Sequence, residues 1–409
     1  MNTQSSPIPA LLETIDQENA FLLKPGAVVE LQLAAVRAYF SEMRDKIPLL
    51  DRMAEEASVK EINSIDDLAP LLFEHDVYKS YDAADVVAGR WDRMLAWYAS
   101  LSAGSVAETD LSGVETFDDF VGRLWEAGHH PYYTSGTTSG KISLLNNSLA
   151  DRSRIAKISI QTFGWPYVPI AAHSLRFYAV NAVRPLSRML DSVVVIAEHF
   201  GAPGAVKTLQ DEPWRPSDSA RVLAGAKADM EERRERSAQV QTEFFDDILD
   251  HRNEQLCVYG GFGAHWDLSI RGRERGISDG EFASGSYIYL GGGLKGAALP
   301  EDYREQLMRF YGDVHFTMGY GMTEGDTSAP RCEANCYHRP PWTIWLVLNA
   351  VSKQPASPDE DGIIRGRLGV LGFFEGRWGG VLTGDIVELD TGGCACGRPG
   401  PVIRDTIRR

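Results

Sequence analysis

The sequence predicts an α/β fold, and three observations carry that prediction. From about residue 171 onward, short β-branched apolar runs alternate with longer stretches of helical periodicity. Three of these runs lead into glycine. Residues 256–259 precede Gly260-Gly261-Phe262-Gly263, residues 286–290 precede Gly291-Gly292-Gly293, and residues 314–318 precede Gly319-Tyr320-Gly321. Loops at the carboxyl ends of strands are where open α/β sheets take their ligands. The third observation is the run 133–141, Tyr-Thr-Ser-Gly-Thr-Thr-Ser-Gly-Lys, with five hydroxyl side chains from Thr134 to Ser139. That composition cannot build a core. It suits a loop that closes on phosphate oxygens, with glycines admitting close approach and amides and hydroxyls donating. Its spacing is not that of a P-loop. A Ser/Thr-rich surface turn is the alternative.

The elements follow in chain order. The first 130 residues read as mainly helical, with helical apolar spacing over 28–40 and 91–101. Asp66-Asp67 and Thr116-Phe117-Asp118-Asp119 are helix starts, with acids in the first turn. Residues 131–340 form the α/β core, with buried strands expected at 175–180 and 192–196 as well as at the three glycine-linked runs. Residues 219–252 read as one long charged helix whose charges face solvent. Residues 341–409 form a small antiparallel β-rich subdomain, with strands at 342–348, 362–366 and 380–389.

Bulk composition narrows the function. A net charge of −16 and a pI near 5.1 argue against non-specific nucleic-acid binding and against an anionic membrane surface. No window reaches the ~18 apolar residues of a membrane span, and the polar Met1–Ala10 stretch lacks a signal-peptide layout. A cytoplasmic location is expected. Five cysteines is an odd count, so a disulfide framework is not expected. Cys257, between Leu256 and Val258, reads as a small buried hydrophobe. The other four cluster as Cys332-x3-Cys336 and Cys394-x-Cys396, with His338 close by.

Three distant segments together resemble the signature of the adenylate-forming superfamily of acyl-CoA synthetases, peptide-synthetase adenylation domains and luciferases. They are the loop 133–141, the run Gly319-Tyr320-Gly321-Met322-Thr323-Glu324-Gly325, and Thr383-Gly384-Asp385. The resemblance covers roughly residues 90 to 404. It implies the large domain of such enzymes: two α/β subdomains and a small β-rich one. It also implies the reaction, in which a carboxylate attacks the α-phosphate of ATP to give an acyl-adenylate and pyrophosphate. In that chemistry the protein mainly positions two anions and neutralises charge. By resemblance, Thr134, Ser135, Gly136, Thr137 and Thr138 hold the leaving phosphates. Tyr320, beside Gly321, stacks on adenine; Thr323 bonds the α-phosphate; Glu324 binds Mg2+, a hard cation that prefers carboxylate oxygen. Asp385 accepts from the ribose hydroxyls, Arg404 reaches the ribose, and Gly291, Gly292 and Gly293 line the adenine and acyl pocket. Singly, each glycine reads as a turn, Tyr320 as a core aromatic and Asp385 as a turn former. Those readings leave the co-occurrence unexplained.

A narrower resemblance points to one branch. Gly291-Gly292-Gly293-Leu294-Lys295-Gly296 and the run 332–342 look like acyl-protein synthetases, and Cys394-Ala-Cys396-Gly397-Arg398 is similar to the phenylacetate-CoA ligase branch. Single-domain relatives of this kind occur in antibiotic biosynthesis, phenazine pathways among them. The cysteines carry three readings: a structural Zn2+ site of His338, Cys394, Cys396 and either Cys332 or Cys336; a nucleophilic thiol that takes the acyl group as a thioester; or plain reduced cysteines.

The chain departs from the family pattern twice. Ser139 stands where a glycine is usual, the loop's proline is absent and Lys141 comes one residue early, which implies a rearranged phosphate grip. Most of the superfamily also has a mobile C-terminal domain of about 100 residues, whereas residues 402–409 resemble only the start of its hinge. The leading expectation is adenylation of a small carboxylic acid, with transfer to a thiol, an amine or a reductase partner protein. An acyl-protein synthetase and a nucleotide-binding protein without turnover are the alternatives. A homodimer is the expected assembly.

Overall fold

The computed structural model describes residues 6–134, 141–167, 170–180, 188–209, 215–225, 228–291, 298–325 and 328–408. A five-stranded parallel sheet runs in the order Gly201–Thr208, Leu175–Ala179, Leu256–Gly261, Tyr287–Gly291, His315–Thr317. Side chains alternate across it with the period of two that a strand imposes. Tyr178, Val258 and Ile288 enter one buried cluster, together with Phe262, Leu268, Leu307 and Phe310 of the helices Phe262–Glu274 and Tyr303–Tyr311. Phe177, Cys257 and Tyr287 enter another, against Val193, Ile196 and Phe200. Both faces are covered, which is why these strands read as continuous apolar runs. Cys257 is buried as expected.

Two readings of this region are corrected, and one strand was missed. Residues 192–196 are not a strand; they lie within the helix Arg188–Phe200. Val193, Ile196, Ala197 and Phe200 are all buried, at helical spacing, and the continuous Val-Val-Val-Ile run masks that period. The single helix expected over 219–252 is two, Pro216–Leu223 and Ala228–Asp250, and the first ends near Ala224-Gly225. The strand Gly201–Thr208 was not legible in Gly-Ala-Pro-Gly-Ala-Val-Lys-Thr; it is an edge strand, where proline is tolerated.

A second sheet orders Cys336–His338, Val402–Arg404, Gly380–Asp390, Ile363–Leu371 and Ile344–Leu348 antiparallel, and Phe73–Glu74 adds in parallel to Gly380–Asp390. The helix Pro25–Arg44 lies on it. Gln32 donates to the carbonyls of Pro341 (2.8 Å) and Thr343 (2.9 Å). Tyr39 stacks on Trp378 at 4.9 Å, and the Trp378 indole donates to Leu71 O at 2.9 Å. Residues from the first 80 and the last 70 thus share one buried cluster.

The third unit is an aromatic cluster built on Trp91–Ser100 and Phe117–Glu126. Thr116 caps the latter helix in a capping box with Asp119, as the acids at its start implied. The Asp66-Asp67 start is also borne out, as a short 3-10 helix whose capping box joins Ser64 and Asp67. Tyr133 and Leu144 of this cluster belong to a short hairpin, Tyr132–Tyr133 with Leu144–Leu145. That hairpin anchors the two ends of the Ser/Thr/Gly loop.

Candidate active site

The hairpin closes where the loop begins. Thr134 N donates to Ser143 O (3.2 Å), and Ser143 N donates to Thr134 Oγ1 (2.9 Å). Ser135, Gly136, Thr137 and Thr138 lie between these residues and outside the described ones. The Lys141 ammonium donates to Tyr81 O at 2.6 Å and sits over the Tyr81 ring.

The second segment meets the loop base directly. Ser143 Oγ donates to Glu324 Oε1 at 3.0 Å. Ser143 thus ties the hairpin to the segment predicted to hold the metal. Glu324 is half-buried, and its other oxygen has no hydrogen-bond partner among the described residues. One free, partly shielded carboxylate oxygen is the donor a hard divalent cation requires, so the residues present fit Mg2+ there. Gly319–Tyr320 pairs with Ala329–Pro330, which orients the tyrosine ring. Gly321 is exposed and Thr323 half-buried.

The third segment completes the convergence. Tyr320 OH donates to Asp385 Oδ2 at 2.8 Å, across 65 residues of sequence. Thr383 is fully buried, its carbonyl accepts two bonds from Arg367 (3.0 and 2.9 Å), and its hydroxyl accepts from Asp385 N at 3.1 Å. The carboxylate therefore leaves a braced irregularity within the strand Gly380–Asp390, where the pairing register with Ile363–Leu371 shifts.

Gly291 ends its strand opposite Gly261. A Cβ there would lie 2.4 Å from the Tyr289 ring, and Tyr289 stacks on Tyr259 at 4.1 Å and 3°. Gly292 and Gly293 lie outside the described residues. Arg404 sits on the strand Val402–Arg404 and pairs with Asp390 at 2.9 Å. The residue after it is a hub: Asp405 accepts from Arg304 (2.7 Å) and Tyr337 (3.1 Å) and pairs with Arg331 (3.1 Å).

The cysteine pairs meet. One ligand atom each from Cys332, His338, Cys394 and Cys396 lie within 4.8 Å of one another. Cys332 Sγ is 3.5 Å from Cys394 Sγ, and Cys396 Sγ is 3.4 Å from His338 Nε2. The edges of a tetrahedron with zinc bond lengths are about 3.5–3.8 Å, so the donor set fits zinc. Of the two alternatives left open by the sequence, Cys332 joins the set. Cys336 does not: it stands outside the four, and its thiol reaches the Ala334 carbonyl at 3.5 Å. Burial pushes the Cys332 thiol up to about 12 and Cys394 to about 11. Burial also raises Cys396, but hydrogen bonds from the Arg398 backbone and side chain outweigh it and hold this thiol below its ordinary value. His338 is lowered to about 4, by burial first and Arg398 second, and is therefore the neutral, ligating form.

Sequence reasoning missed Arg377. It is fully buried with its guanidinium carbon 3.4 Å from the Phe374 ring centroid. Its Nη2 reaches Thr323 O at 3.4 Å, while Nε and Nη1 have no partner among the described residues. No local pattern around residue 377 announces this, because the contact to Thr323 spans 54 residues.

With this geometry in view, the comparisons are specific about fold. 2-Hydroxyisobutyryl-CoA ligase, in an open conformation with 2-HIB-AMP and CoA, matches at a TM-score of 0.56 and 14% identity, covering 94% of this chain and 74% of that one. The same ligase in its thioesterification state matches at 0.59 and 15%, covering 94% and 68%. Its postadenylation state with 2-HIB-AMP matches at 0.54 and 13%, covering 94% and 67%. The fold is that of the large domain of adenylate-forming enzymes. No family model and no curated protein matches the chain.

Proposed function

We propose that this protein activates a small carboxylic acid as its acyl-AMP at the expense of ATP. The observation that carries the reading is the convergence of three motif segments on one another: Thr134 to Ser143, Ser143 to Glu324, and Tyr320 to Asp385. The fold shared with a ligase bound to 2-HIB-AMP supports it.

In this reading a carboxylate oxygen of the acid forms a bond to the α-phosphorus while the bond from that phosphorus to the bridging oxygen breaks, and pyrophosphate leaves. Thr134 and the loop residues after it, Ser135, Gly136, Thr137 and Thr138, hold the departing phosphates through hydroxyls and amides. Thr323 donates to the α-phosphate. Glu324, steadied by Ser143, holds Mg2+, which supplies charge neutralisation at the phosphates when bound. Tyr320 stacks on adenine, and Asp385 accepts from the ribose hydroxyls once its bond to Tyr320 is exchanged. Gly291, Gly292 and Gly293 leave room for the adenine and acyl groups. The acyl-AMP is then handed to a thiol, an amine or a reductase partner.

The convergence of Cys332, His338, Cys394 and Cys396 supports a structural zinc over an acyl-carrying thiol, because a metal-bound thiolate is a poor acyl acceptor. The deciding experiment is carboxylate-dependent ATP–pyrophosphate exchange with Mg2+ over a broad panel of acids. Exchange with at least one acid is expected. None across the panel, with ATP still bound, would leave a nucleotide-binding protein without turnover.

A further inference from the structure

One hairpin joins the thiol cluster to the nucleotide motif. Its outgoing strand, Ala329–Pro330, pairs antiparallel with Gly319–Tyr320, with Ala329 opposite Tyr320. Arg331 N extends that pairing by donating to Met318 O (2.9 Å). The chain then turns at once. Cys332 N donates to Cys336 O (2.9 Å), Arg331 bridges Tyr337, and Asn335 takes the left-handed backbone (φ 59°) of the turn. The return strand, Cys336–His338, pairs with Val402–Arg404.

Side chains alternate across a strand, so the two faces of this hairpin differ. Cys332 and Cys336 lie in one cluster with Cys394, Cys396, Trp165 and Trp342, and the His338 ring is 5.0 Å from Trp165. Tyr337, between Cys336 and His338, enters the opposite cluster, which also holds Ala329 and Tyr320. Its ring lies 6.1 Å from that of Tyr320, and Asp405 holds both its hydroxyl and the Arg331 side chain. Cys394 and Cys396 come from the loop between Gly380–Asp390 and Val402–Arg404. The ion pair between hairpin tip and loop, Arg398 with Glu333 (2.9 Å), is partly exposed, and such pairs contribute little. A tetrahedral zinc on Cys332, His338, Cys394 and Cys396 would fasten the tip to the loop far more firmly.

We propose that this metal knuckle is a positioning element for the nucleotide: zinc on one face of the hairpin fixes Tyr320 on the other, through the pairing at Ala329 and the ring of Tyr337. It rests on the reading that Tyr320 stacks on adenine. Nucleotide affinity then depends on zinc although no zinc ligand touches the nucleotide, and Tyr337 is a positioning residue.

The test is titration calorimetry of Mg2+-ATP into the full chain, zinc-loaded and then zinc-free after chelation under reducing conditions, with melting curves for each. Removal of zinc is expected to leave a folded chain whose Kd for ATP is at least about tenfold weaker, restored when Zn2+ is added back. Zinc-loaded Tyr337→Leu is expected to lose about tenfold as well, and zinc removal should then add less than it does in the wild type. Tyr337→Phe keeps the ring and should stay within about threefold of the wild type. An unchanged affinity in the folded zinc-free chain, or in zinc-loaded Tyr337→Leu, overturns the proposal and leaves the adenylation reading standing. A zinc-free chain that no longer folds overturns it too, because the metal then serves the whole fold. A zinc-loaded wild type that binds no ATP up to about 1 mM removes the adenylation reading, and the proposal with it.

Discussion

The Tyr320 hydroxyl donates to the Asp385 carboxylate at 2.8 Å and so joins two motif segments that are separate in the sequence. A charge-assisted bond of this kind holds the carboxylate where the nucleotide's ribose is proposed to sit. Replacing Asp385 by Asn removes the charge and one acceptor. The expected outcome is a KM for ATP raised about 10- to 100-fold in pyrophosphate exchange. Tyr320→Phe should raise it less, and the double variant should cost less than the sum of the two, because the residues share one bond.

The Ser143–Glu324 contact, 3.0 Å, separates positioning from metal binding. Glu324→Gln is expected to lower kcat by about 100-fold or more and to raise the Mg2+ concentration needed for half-maximal rate. Ser143→Ala should lower kcat about tenfold with little change in Mg2+ dependence. Mg2+ titrations of both variants make the comparison.

Arg377 is a buried cation beneath Thr323, with two N–H groups unpartnered among the described residues. Such a group is costly to the fold. Arg377→Met should therefore raise the unfolding free energy measured in urea by about 1 kcal/mol or more. It should also slow exchange about tenfold, since the Thr323 carbonyl loses its anchor. Stability gained with activity lost is the signature; a loss of both would mean that the guanidinium serves the core alone.

Elemental analysis of purified protein should find one zinc per chain. Cys332→Ser or Cys394→Ser should abolish it and lower the melting temperature by about 5 °C or more. Cys336→Ser should retain it, because Cys336 stands outside the four-ligand set.

His265 sets a pH dependence. It is wholly buried between the Tyr289 carbonyl (2.9 Å) and the Tyr311 hydroxyl (2.6 Å). The carbonyl accepts from Nε2, so Nδ1 accepts from the phenol. Burial lowers its pKa from 6.5 to about 4. Between those values the unfolded chain binds a proton that the folded chain does not, so stability falls as pH falls through that window. Each tenfold difference in proton affinity between the two states is worth about 1.4 kcal/mol. Urea melts at pH 7 and pH 5 should show this loss in the wild type and a flatter dependence in His265→Gln.

Much of this was legible in the chain because it is local. The helix start at Thr116 follows from a hydroxyl three residues before Asp119, and the central strands follow from short apolar runs ending in glycine. Locality also misled. Val193 to Ile196 is β-branched throughout, so its helical period is hidden until Val193, Ile196, Ala197 and Phe200 are seen packed against one face of the sheet. Gly201–Thr208 has the glycines and proline of a loop and becomes a strand only because Leu175–Ala179 offers it an edge.

By itself the sequence singled out the candidate residues: the hydroxyl loop from Thr134, the Thr323-Glu324 pair, Asp385, and a cluster of thiols with one histidine. Only the tertiary structure decided their partnerships. It brought Ser143 to Glu324 across 181 residues and Tyr320 to Asp385 across 65, chose Cys332 over Cys336, and placed Arg377 beneath Thr323. The physical reason is that such contacts are set by strand register and by which faces pack together. Those are properties of the whole folded chain, and residue type and spacing within one segment do not encode them.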